Sequence, residues 1–331
     1  SQKLRHLPGM GAKTEENIKR GIKLYKTSQS RILLGKALPI VRDIIEELKN
    51  KASPYIEKIS PAGSLRRGKE TIGDIDILAS SEKSSFVMDS FTQLSFVENV
   101  LARGNTKSSI LTHHGLQIDL RVVEPASFGA ALQYFTGSKS HNIVLRERAI
   151  KRGLKINEYG VFTNKGEKKA GEKEEDIYAS LDLSFIPPEL RETRGEFEAA
   201  EKGKIPRLIE EREIKGDFHM HTEASDGNNS IEELIEKARE KNYKYIAITD
   251  HSSSLRVANG LSKEALLSQI KRIKEINSHL KNFKVLAGSE VDILKDGRLD
   301  YADEILKKLD IVIIALHTGF KQNRETITNK V

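Results

Sequence analysis

The sequence predicts an α+β region followed by an α/β region, and two patterns carry that prediction. In the first region, apolar strand patterns at 71–79 and 117–123 are surrounded by helical segments. After Lys215, short apolar strands alternate regularly with helices, an order typical of a parallel sheet or barrel. The stretch 153–212 is polar and rich in charge, and we interpret it as a small subdomain followed by a linker.

The helices of the first region are predicted from apolar periodicity and from their end signals. An amphipathic helix is expected over 33–51, broken by Pro39 because proline lacks the amide that an inner turn needs. A short turn that begins a helix is expected over 63–69. A mostly helical stretch over 126–152 is interrupted at 137–138.

The second region is predicted to contain four strands and three helices. Ser230 and Glu233 form a capping box at the start of the first of these helices. The last strand is so apolar that we expect it to be buried. The strands are expected at 216–219, 245–249, 284–291 and 311–316, and the helices at 230–241, 262–280 and 301–309.

Composition excludes several classes of protein. The 331 residues are 37% hydrophobic and 31% charged, with no long apolar run and no Cys, which excludes a membrane span, disulfides and thiolate metal sites. No targeting signal opens the chain, so a cytoplasmic location is expected. The net charge of +7 favours polyanionic partners, nucleic acid first, and ordinary solubility charge is the alternative.

Three aspartates are predicted to share one face of a sheet. Side chains alternate along a strand, so Asp74 and Asp76 lie on one side while Ile75 faces the core. The strand 117–123 repeats the pattern and places Asp119 on its polar side. Two adjacent strands would then present three carboxylates together.

Such a cluster is typical of phosphoryl transfer. Clustered carboxylates repel one another unless cations neutralise them, and two Mg²⁺ ions about 4 Å apart stabilise both the attacking and the leaving oxygens. Gly63 and Ser64 offer backbone amides at a helix start, which suits a phosphate, and Arg67 can bind a triphosphate through two N–H donors. A lone Asp-x-Asp or Gly-Ser is usually an ordinary turn, and the combination is more specific.

A second candidate site lies at the strand ends of the second region. His219 and His221 close the first predicted strand, and His251, Glu290 and His317 close the next three. The carboxyl ends of parallel strands meet at one rim, and imidazole and carboxylate groups suit Zn²⁺ or Mn²⁺. A lone His is more often structural, but four strand ends in register argue for a metal centre.

Residues 62–78 resemble the nucleotidyltransferase signature of family X DNA polymerases. The segment 134–138, Tyr-Phe-Thr-Gly-Ser, is similar to the nucleotide-pocket motif of that family, and 156–159, Ile-Asn-Glu-Tyr, to part of its thumb. The resemblance covers about residues 1–212. It also implies an amino-terminal lyase-like domain that would precede this sequence.

The resemblance implies a role for each matching residue. Asp74 and Asp76 would bind Mg²⁺ or Mn²⁺, and Asp119 would be the base or orienter for a primer hydroxyl. Tyr134 would lie by the sugar and crowd a ribose 2′-hydroxyl. The nucleotide would be bound by Gly63, Ser64, Arg67, Gly73, Tyr134, Phe135, Gly137 and Asn142.

Contacts with DNA are expected at two places. Residues 7–13 resemble the turn of a helix-hairpin-helix, in which Gly9 and Gly11 let a phosphate approach the backbone and Lys13 adds charge. The basic helical stretch 139–152, with Arg146 near the template, suits a phosphate backbone, and a solvated face is the alternative. The expected partners are gapped or primer-template DNA and a dNTP, with no membrane and a monomeric chain.

The second region resembles the PHP domain (polymerase and histidinol phosphatase), a distorted TIM-like barrel. In bacterial and archaeal family X polymerases this domain follows the thumb and is associated with 3′-5′ exonuclease and phosphoesterase activity. The ligands implied here, for Zn²⁺ or Mn²⁺, are His219, His221, Asp226, His251, Glu290 and His317. The later ligands of the family would follow Val331, so we expect a weakened or inactive hydrolytic site and a mobile carboxyl-terminal region.

The resemblance predicts an α+β nucleotidyltransferase palm with helical fingers and a small α/β thumb, followed by a partial α/β PHP domain. The predicted domains are partial fingers at 1–52, palm at 53–138, thumb and linker at 139–212 and PHP at 213–331. The leading hypothesis is a template-directed DNA polymerase that fills short gaps in base excision repair or end joining. The alternatives are a metal-dependent phosphoesterase with a DNA-binding half, and an inactive DNA-binding fragment.

Overall fold

The computed structural model describes residues 11, 12, 15, 31–322 and 324–328. The chain forms two compact units, Ser1–Pro206 and Arg207–Val331, each with its own hydrophobic core. Among the described residues, no helix has both the length and the apolar character needed to cross a bilayer.

A five-stranded mixed sheet organises the first unit. The first seven strands described are β1 Ile32–Leu33, β2 Lys58–Pro61, β3 Thr71–Ile72, β4 Ile75–Ser80, β5 Val97–Arg103, β6 Lys107–Thr112 and β7 Gln117–Val123. Strands β1 and β3 pair with each other, and the larger sheet has the order β2-β4-β7-β6-β5. Strands β4 and β7 are parallel neighbours, while the other pairs of this sheet are antiparallel.

One face of this sheet carries the core of the first unit. Ile75 and Ile77 of β4 and Ile118 and Leu120 of β7 are buried there, in a core shared with the helices Leu34–Ala52 and Ser84–Thr92. The helices of this unit are Leu34–Ala52, Gly63–Arg66, Ser84–Thr92, Phe128–Thr136, Lys139–Lys151, Glu174–Ala179 and Glu196–Glu201. Asp76 and Asp119 lie on the opposite side of these strands and are half-buried, as strand alternation predicts, while Leu78 on that side of β4 packs into a smaller core with Phe128 and Ala131.

The helix Leu34–Ala52 continues through Pro39, so the predicted break is wrong. Proline in an inner turn removes one hydrogen bond and costs about 3 kcal/mol. The helix buries Val41, Ile44 and Leu48 almost completely, and each such side chain stabilises the fold by roughly 1.5–3 kcal/mol. The buried face therefore outweighs the proline.

The predicted strand 71–79 is two strands, β3 and β4, because the chain turns at Gly73 and Asp74. Asp74 consequently lies in the turn before β4 and is exposed. Asp76 lies within β4 and is half-buried. Asp74 thus belongs to a turn and Asp76 to the sheet, and the charge of Asp74 still acts on Asp76.

The region after 151 is more ordered than the predicted linker. Strands β8 Leu154–Asn157, β9 Gly160–Thr163 and β10 Lys168–Ala170 form an antiparallel sheet in the order β10-β9-β8. Val161, Ile177, Tyr178 and Phe197 form a buried core beside it. The compact unit extends to Pro206, so packed structure covers most of this stretch.

The second unit is a parallel sheet with helical connections. Its strands are β11 Gly216–Met220, β12 Tyr245–Ile248, β13 Lys284–Asp292 and β14 Ile311–Ala315, hydrogen-bonded in chain order. Its helices are Ile231–Glu240, Lys263–His279, Asp303–Leu306 and Arg324–Thr328. The capping box is present, since Glu233 N donates to Ser230 Oγ at 3.3 Å and Ser230 N donates to Glu233 Oε2 at 2.8 Å.

Two predictions for the second unit are wrong. Strand β14 is only half-buried, with Ile314 51% exposed, because β13 is its sole neighbour among the residues that the structure describes. The helix expected over 301–309 is a single turn, Asp303–Leu306. The described part of the sheet is open at both edges, and it is not a closed barrel.

Candidate functional site

Two of the three predicted carboxylates face each other across a strand pair. Strands β4 and β7 are parallel, and their register pairs Asp76 directly with Asp119. Both side chains are half-buried, while their strand neighbours Ile75 and Ile118 are fully buried. Asp74 stands in the turn at the start of β4, and its charge acts on Asp76. The alternation of the two strands therefore positions the predicted acidic face.

Asp119 is held by polar partners of the same sheet. Lys107 Nζ lies 2.6 Å from Asp119 Oδ2, and Gln117 Nε2 donates to Asp119 Oδ1 at 2.9 Å. Burial alone would raise the pKa of Asp119, but the hydrogen bonds from Lys107, Gln117 and Ser109 outweigh it and lower that pKa. Asp119 is therefore a well-stabilised anion. Lys107 lies on β6 and was not predicted, because it follows no motif.

Asp76 has the opposite character. Burial, followed by the charges of Asp74 and Asp119, raises the pKa of Asp76 to about 6, and Arg121 and Lys107 only partly compensate. A Cβ on Gly63, which has φ +58°, would collide with the Asp76 carboxylate. Only glycine therefore leaves room for that carboxylate beside the turn. A half-buried carboxylate with two acidic neighbours is the environment that a divalent cation stabilises.

The three aspartates fit divalent cations by their chemistry, since carboxylate oxygens suit Mg²⁺ and Mn²⁺. Their carboxylate oxygens lie farther apart than the ligand atoms of the predicted histidine site in the second unit, called the histidine rim below (His219, His221, Asp226, His251, Glu290 and His317). In the described part of the chain, every group of three potential ligands whose donor atoms lie within 4.8 Å of one another belongs to the second unit.

The turn that begins at Gly63 carries two arginines that bind carboxylates from the region 174–192. Arg66 donates to both oxygens of Glu174, at 2.9 and 2.7 Å, and Arg67 Nε donates to Glu192 Oε1 at 2.9 Å. Arg67 Nη1 also donates to the Thr136 carbonyl at 2.5 Å. The predicted phosphate turn and the predicted nucleotide motif 134–138 are thus connected directly. Neither glutamate was predicted, because these pairs span 108 and 125 residues of sequence.

Glu174 is the centre of a buried ionic network. It also accepts from Arg191 Nη1 at 2.6 Å, and Arg191 is fully buried. Burial would raise the pKa of Glu174, but hydrogen bonds and charges from Arg66 and Arg191 lower it. The network holds the Gly63 turn in place.

The nucleotide-pocket motif lies on the helix Phe128–Thr136 and the turn after it. Tyr134 and Phe135 meet edge to face at 5.1 Å between ring centroids, and the Arg121 guanidinium lies 4.2 Å from the Phe135 centroid. Asn142 is engaged inside the protein, because its Nδ2 donates to the Tyr134 carbonyl at 2.7 Å and its Oδ1 accepts from Gln133 at 2.8 Å. Asn142 therefore positions Tyr134.

Gly137 and Gly73 lie where small residues are needed. Gly137 has φ +69° and ends the helix that carries Tyr134. A Cβ on Gly73 would lie 3.2 Å from Arg31 Nη1. Ser64, on the helix Gly63–Arg66, is half-buried.

The residues predicted to contact DNA divide into two groups. Gly9 and Lys13 lie outside the described residues, and Gly11 is exposed. Arg146 is exposed on the helix Lys139–Lys151. On that helix Arg148 is paired with Glu201 and lies 4.0 Å from Glu198, so its basic surface is smaller than the sequence predicted.

The histidine rim converges on one carboxylate. His219 Nε2 and His221 Nε2 lie 3.1 and 3.2 Å from Glu290 Oε2. His251 Nδ1 lies 3.2 Å from the same oxygen without the geometry of a hydrogen bond, and His317 Nε2 lies 3.4 Å from Glu290 Oε1. Glu290 is buried. One buried carboxylate is thus surrounded by four imidazoles.

Asp226 completes the rim on its other side. Its Oδ1 lies 2.9 Å from His221 Nδ1 and its Oδ2 lies 3.4 Å from His251 Nε2. Burial would raise the pKa of Asp226, but the hydrogen bond from His221 and the charges of His251 and His221 lower it. All six predicted ligands lie in three overlapping triads: His219-His221-Glu290, His221-Asp226-His251 and His251-Glu290-His317.

Two buried aspartates that the sequence analysis did not select support this rim. Asp292 Oδ1 lies 2.7 Å from His317 Nδ1, which orients the ring toward Glu290. Asp250 accepts hydrogen bonds from Thr222 Oγ1 at 2.7 Å and from Ser225 Oγ at 2.5 Å, and so holds the loop between His221 and Asp226. The sequence signal that could have indicated them is position, because Asp250 directly precedes His251 and Asp292 lies two residues after Glu290.

The donor set of the rim fits Zn²⁺ or Mn²⁺. Imidazole and carboxylate ligands suit these ions, and outer carboxylates that orient the imidazoles are typical of metal centres. His221 and His317 each have both ring nitrogens within 3.4 Å of carboxylate oxygens, whereas a neutral imidazole has only one N–H to donate. A divalent cation would bind the other ring nitrogen of each.

Comparison with known proteins identifies both units. A family model described as the DNA polymerase beta thumb matches residues 131–192, and the PHP domain model matches residues 217–330. The DNA polymerase/3′-5′ exonuclease PolX of Bacillus subtilis is 41% identical over 333 residues, an alignment that covers all of this chain. These matches are those of family X DNA polymerases that carry a PHP domain, which the chain resembles over its whole length. The family resemblance inferred from the motifs is confirmed.

Other relatives match one part of the chain each. DNA polymerase lambda of Rattus norvegicus is 28% identical over 159 residues, or 39% of this chain. A probable phosphatase of Caldanaerobacter subterraneus is 35% identical over 105 residues, or 30% of this chain. The chain spans 58% of the length of the Bacillus subtilis protein and 28% and 38% of the other two.

Proposed function

We propose that the first unit catalyses template-directed transfer of a dNTP to a primer 3′-hydroxyl. The observation that carries this proposal is the pairing of Asp76 with Asp119 on parallel strands, beside a glycine turn with no room for a side chain. The division into partial fingers at 1–52, palm at 53–138 and thumb and linker at 139–212 belongs to the same proposal, and of 1–52 the described residues are 11, 12, 15 and 31–52. The family X relationship over the whole chain supports it.

Each residue of the transfer site has a proposed part. Asp74, Asp76 and Asp119 hold Mg²⁺ or Mn²⁺, which stabilises the attacking and leaving oxygens of the transfer. The ionised Asp119 orients the primer hydroxyl and accepts its proton. Backbone amides at Gly63 and Ser64 bind the triphosphate.

Residues 134–138, the nucleotide motif, are proposed to form the part of the pocket that fits the sugar. Tyr134 lies against the sugar and crowds a ribose 2′-hydroxyl, and its backbone carbonyl is fixed by Asn142. Gly137 leaves space at the turn beside it. DNA contacts at Gly9, Gly11, Lys13 and Arg146 remain proposals.

The second unit is proposed to be a metal-dependent phosphoesterase that removes 3′ nucleotides, on a partial PHP barrel. The observation that favours it is the convergence of four imidazoles on Glu290. The match to a probable phosphatase supports the same class of reaction. We propose gapped or primer-template DNA as the common substrate of both units, in short-gap repair in the cytoplasm.

One experiment separates the proposed activities. The chain is incubated with a gapped duplex whose primer is labelled, with Mg²⁺ or Mn²⁺ and each dNTP in turn. Template-matched extension that is lost in Asp119→Ala supports transfer, and shortening that survives Asp119→Ala supports the phosphoesterase. Binding of the duplex with neither product would contradict both.

A further inference from the structure

A carboxylate of the chain binds the cations of the proposed phosphate turn. Arg67 Nε donates to Glu192 Oε1 at 2.9 Å, and Lys69 Nζ lies 3.5 Å from the same oxygen. Arg67 Nη1 donates to the Thr136 carbonyl at 2.5 Å, which fixes the guanidinium beside the nucleotide motif. Glu192 is thus bound by the side chains of Arg67 and Lys69, which follow Gly63 and Ser64 closely in sequence.

The contact is sheltered but accessible from solvent. The side chains of Arg67, Glu192 and Lys69 are 14%, 23% and 41% exposed. Burial would raise the pKa of Glu192, but the hydrogen bond and charge of Arg67 and the charge of Lys69 lower it. A carboxylate in this position carries the same charge and offers the same acceptor oxygens as one edge of a phosphate.

We propose that Glu192 is an internal competitor for the triphosphate, and that Lys69 is a further triphosphate-binding residue released together with Arg67. This inference rests on the proposed function, since it places the triphosphate at the Gly63 turn. Arg67 Nε donates to Glu192 and Arg67 Nη1 to the Thr136 carbonyl. A triphosphate that binds the Nε edge of the Arg67 guanidinium must therefore displace Glu192.

The exchange favours highly charged nucleotides. Glu192 carries a single negative charge, whereas a triphosphate carries several and can contact Arg67 and Lys69 at once. A nucleoside monophosphate carries less charge, so its contacts compensate less for the loss of the ion pair between Arg67 and Glu192. The exchange would therefore select the triphosphate over a nucleoside monophosphate, the product that 3′-5′ hydrolysis releases.

The test is equilibrium binding of dATP and of inorganic tripolyphosphate to the full chain with Mg²⁺, by calorimetry and without DNA. Glu192→Gln is expected to bind both probes about fivefold more tightly, the size of a partly exposed ion pair. Lys69→Gln is expected to bind both about threefold more weakly. The matched control is Glu189→Gln, which removes an exposed charge from the neighbouring helix Pro188–Leu190 and should change binding by less than about twofold.

The possible outcomes are distinguishable. Unchanged or weaker binding by Glu192→Gln, with an unchanged thermal midpoint, would show that Glu192 only positions Arg67 and would overturn the inference. If Glu192→Gln is unstable, Lys69→Gln decides, because unchanged binding there would also overturn it. Failure of the wild-type chain to bind dATP or extend a primer would instead reject the proposed transfer function.

Discussion

The transfer site of the first unit and the histidine rim of the second unit balance their charges in different ways. In the rim, four imidazoles lie within 3.4 Å of the two oxygens of Glu290, and Asp292 orients one of these rings from behind. In the transfer site, Asp119 is bound by Lys107 and Arg67 by Glu192. The rim thus brings its ligands together, whereas the transfer site pairs its groups with opposite charges of the chain.

This difference indicates what each site needs before it can act. The rim is preorganised by buried outer residues, so binding of a metal would require little rearrangement. The transfer site must exchange internal ion pairs for a cation and a triphosphate. The transfer site is therefore stable without a cation or a triphosphate. Binding of these ligands depends on their competition with the internal ion pairs.

The largest expected effect tests the carboxylate at the centre of the transfer site. Asp76→Asn should lower primer extension by about a thousandfold or more, because it removes a shared metal ligand. It should also raise stability. The pKa of Asp76 is about 6 in the folded chain against an ordinary value of 3.8, so the folded state binds more protons between these pH values.

The pH dependence of this effect has a definite sign. The free energy of unfolding of the wild type, without divalent cations, should fall as pH rises from about 4 to about 6, by at most roughly 3 kcal/mol from this group. Asp76→Asn should lack that fall. Denaturant unfolding at pH 4 and pH 7 measures it, and a variant that is less stable than the wild type at pH 7 would contradict the account.

The next effect tests the convergence of the rim. Glu290→Gln replaces the carboxylate shared by four imidazoles and should weaken Zn²⁺ or Mn²⁺ binding by about a hundredfold or more. Metal competition with a chelator measures the affinity. Primer extension should stay within about twofold of the wild type, since the transfer residues are unchanged. Retention of full metal affinity would show that Glu290 is not a ligand.

The smallest effect tests the internal cation of the transfer site. Lys107→Met removes the ammonium that lies 2.6 Å from Asp119 and should strengthen Mn²⁺ binding there by about threefold. Electron paramagnetic resonance of Mn²⁺ in a Glu290→Gln background separates this site from the rim. Weaker binding would show that Lys107 organises Asp119 for the cation and does not compete with it.

The sequence predicted local features better than long-range partners. The alternation in 74–77 and 117–123 predicted which residues face the core, because period-two patterns are set by the strand itself. The proline predicted a break of the first helix at Pro39. The sequence alone did not show how much of that helix is buried, so the stabilisation from burial could not be compared with the cost of the proline. It also treated 311–316 as buried, because an apolar run does not reveal whether a strand has neighbours on both sides.

The candidate sites show the same limit. Five rim ligands could be selected because parallel strands bring their carboxyl ends to one edge, and Asp226 was added from the family resemblance. Lys107, Glu174 and Glu192 could not, since each meets its partner through the fold and follows no motif. Asn142 was assigned to the nucleotide, whereas its amide binds the Tyr134 backbone.

The most direct test of the transfer site is single-turnover extension by one matched nucleotide on a gapped duplex, with saturating dNTP and Mg²⁺. Wild type, Asp119→Ala and His251→Ala are compared, the last as a control in the second unit. We expect Asp119→Ala to lose at least about a thousandfold in rate and His251→Ala to stay within about twofold of the wild type. Extension that survives Asp119→Ala, or that is lost equally in His251→Ala, would contradict a transfer site built on the three aspartates.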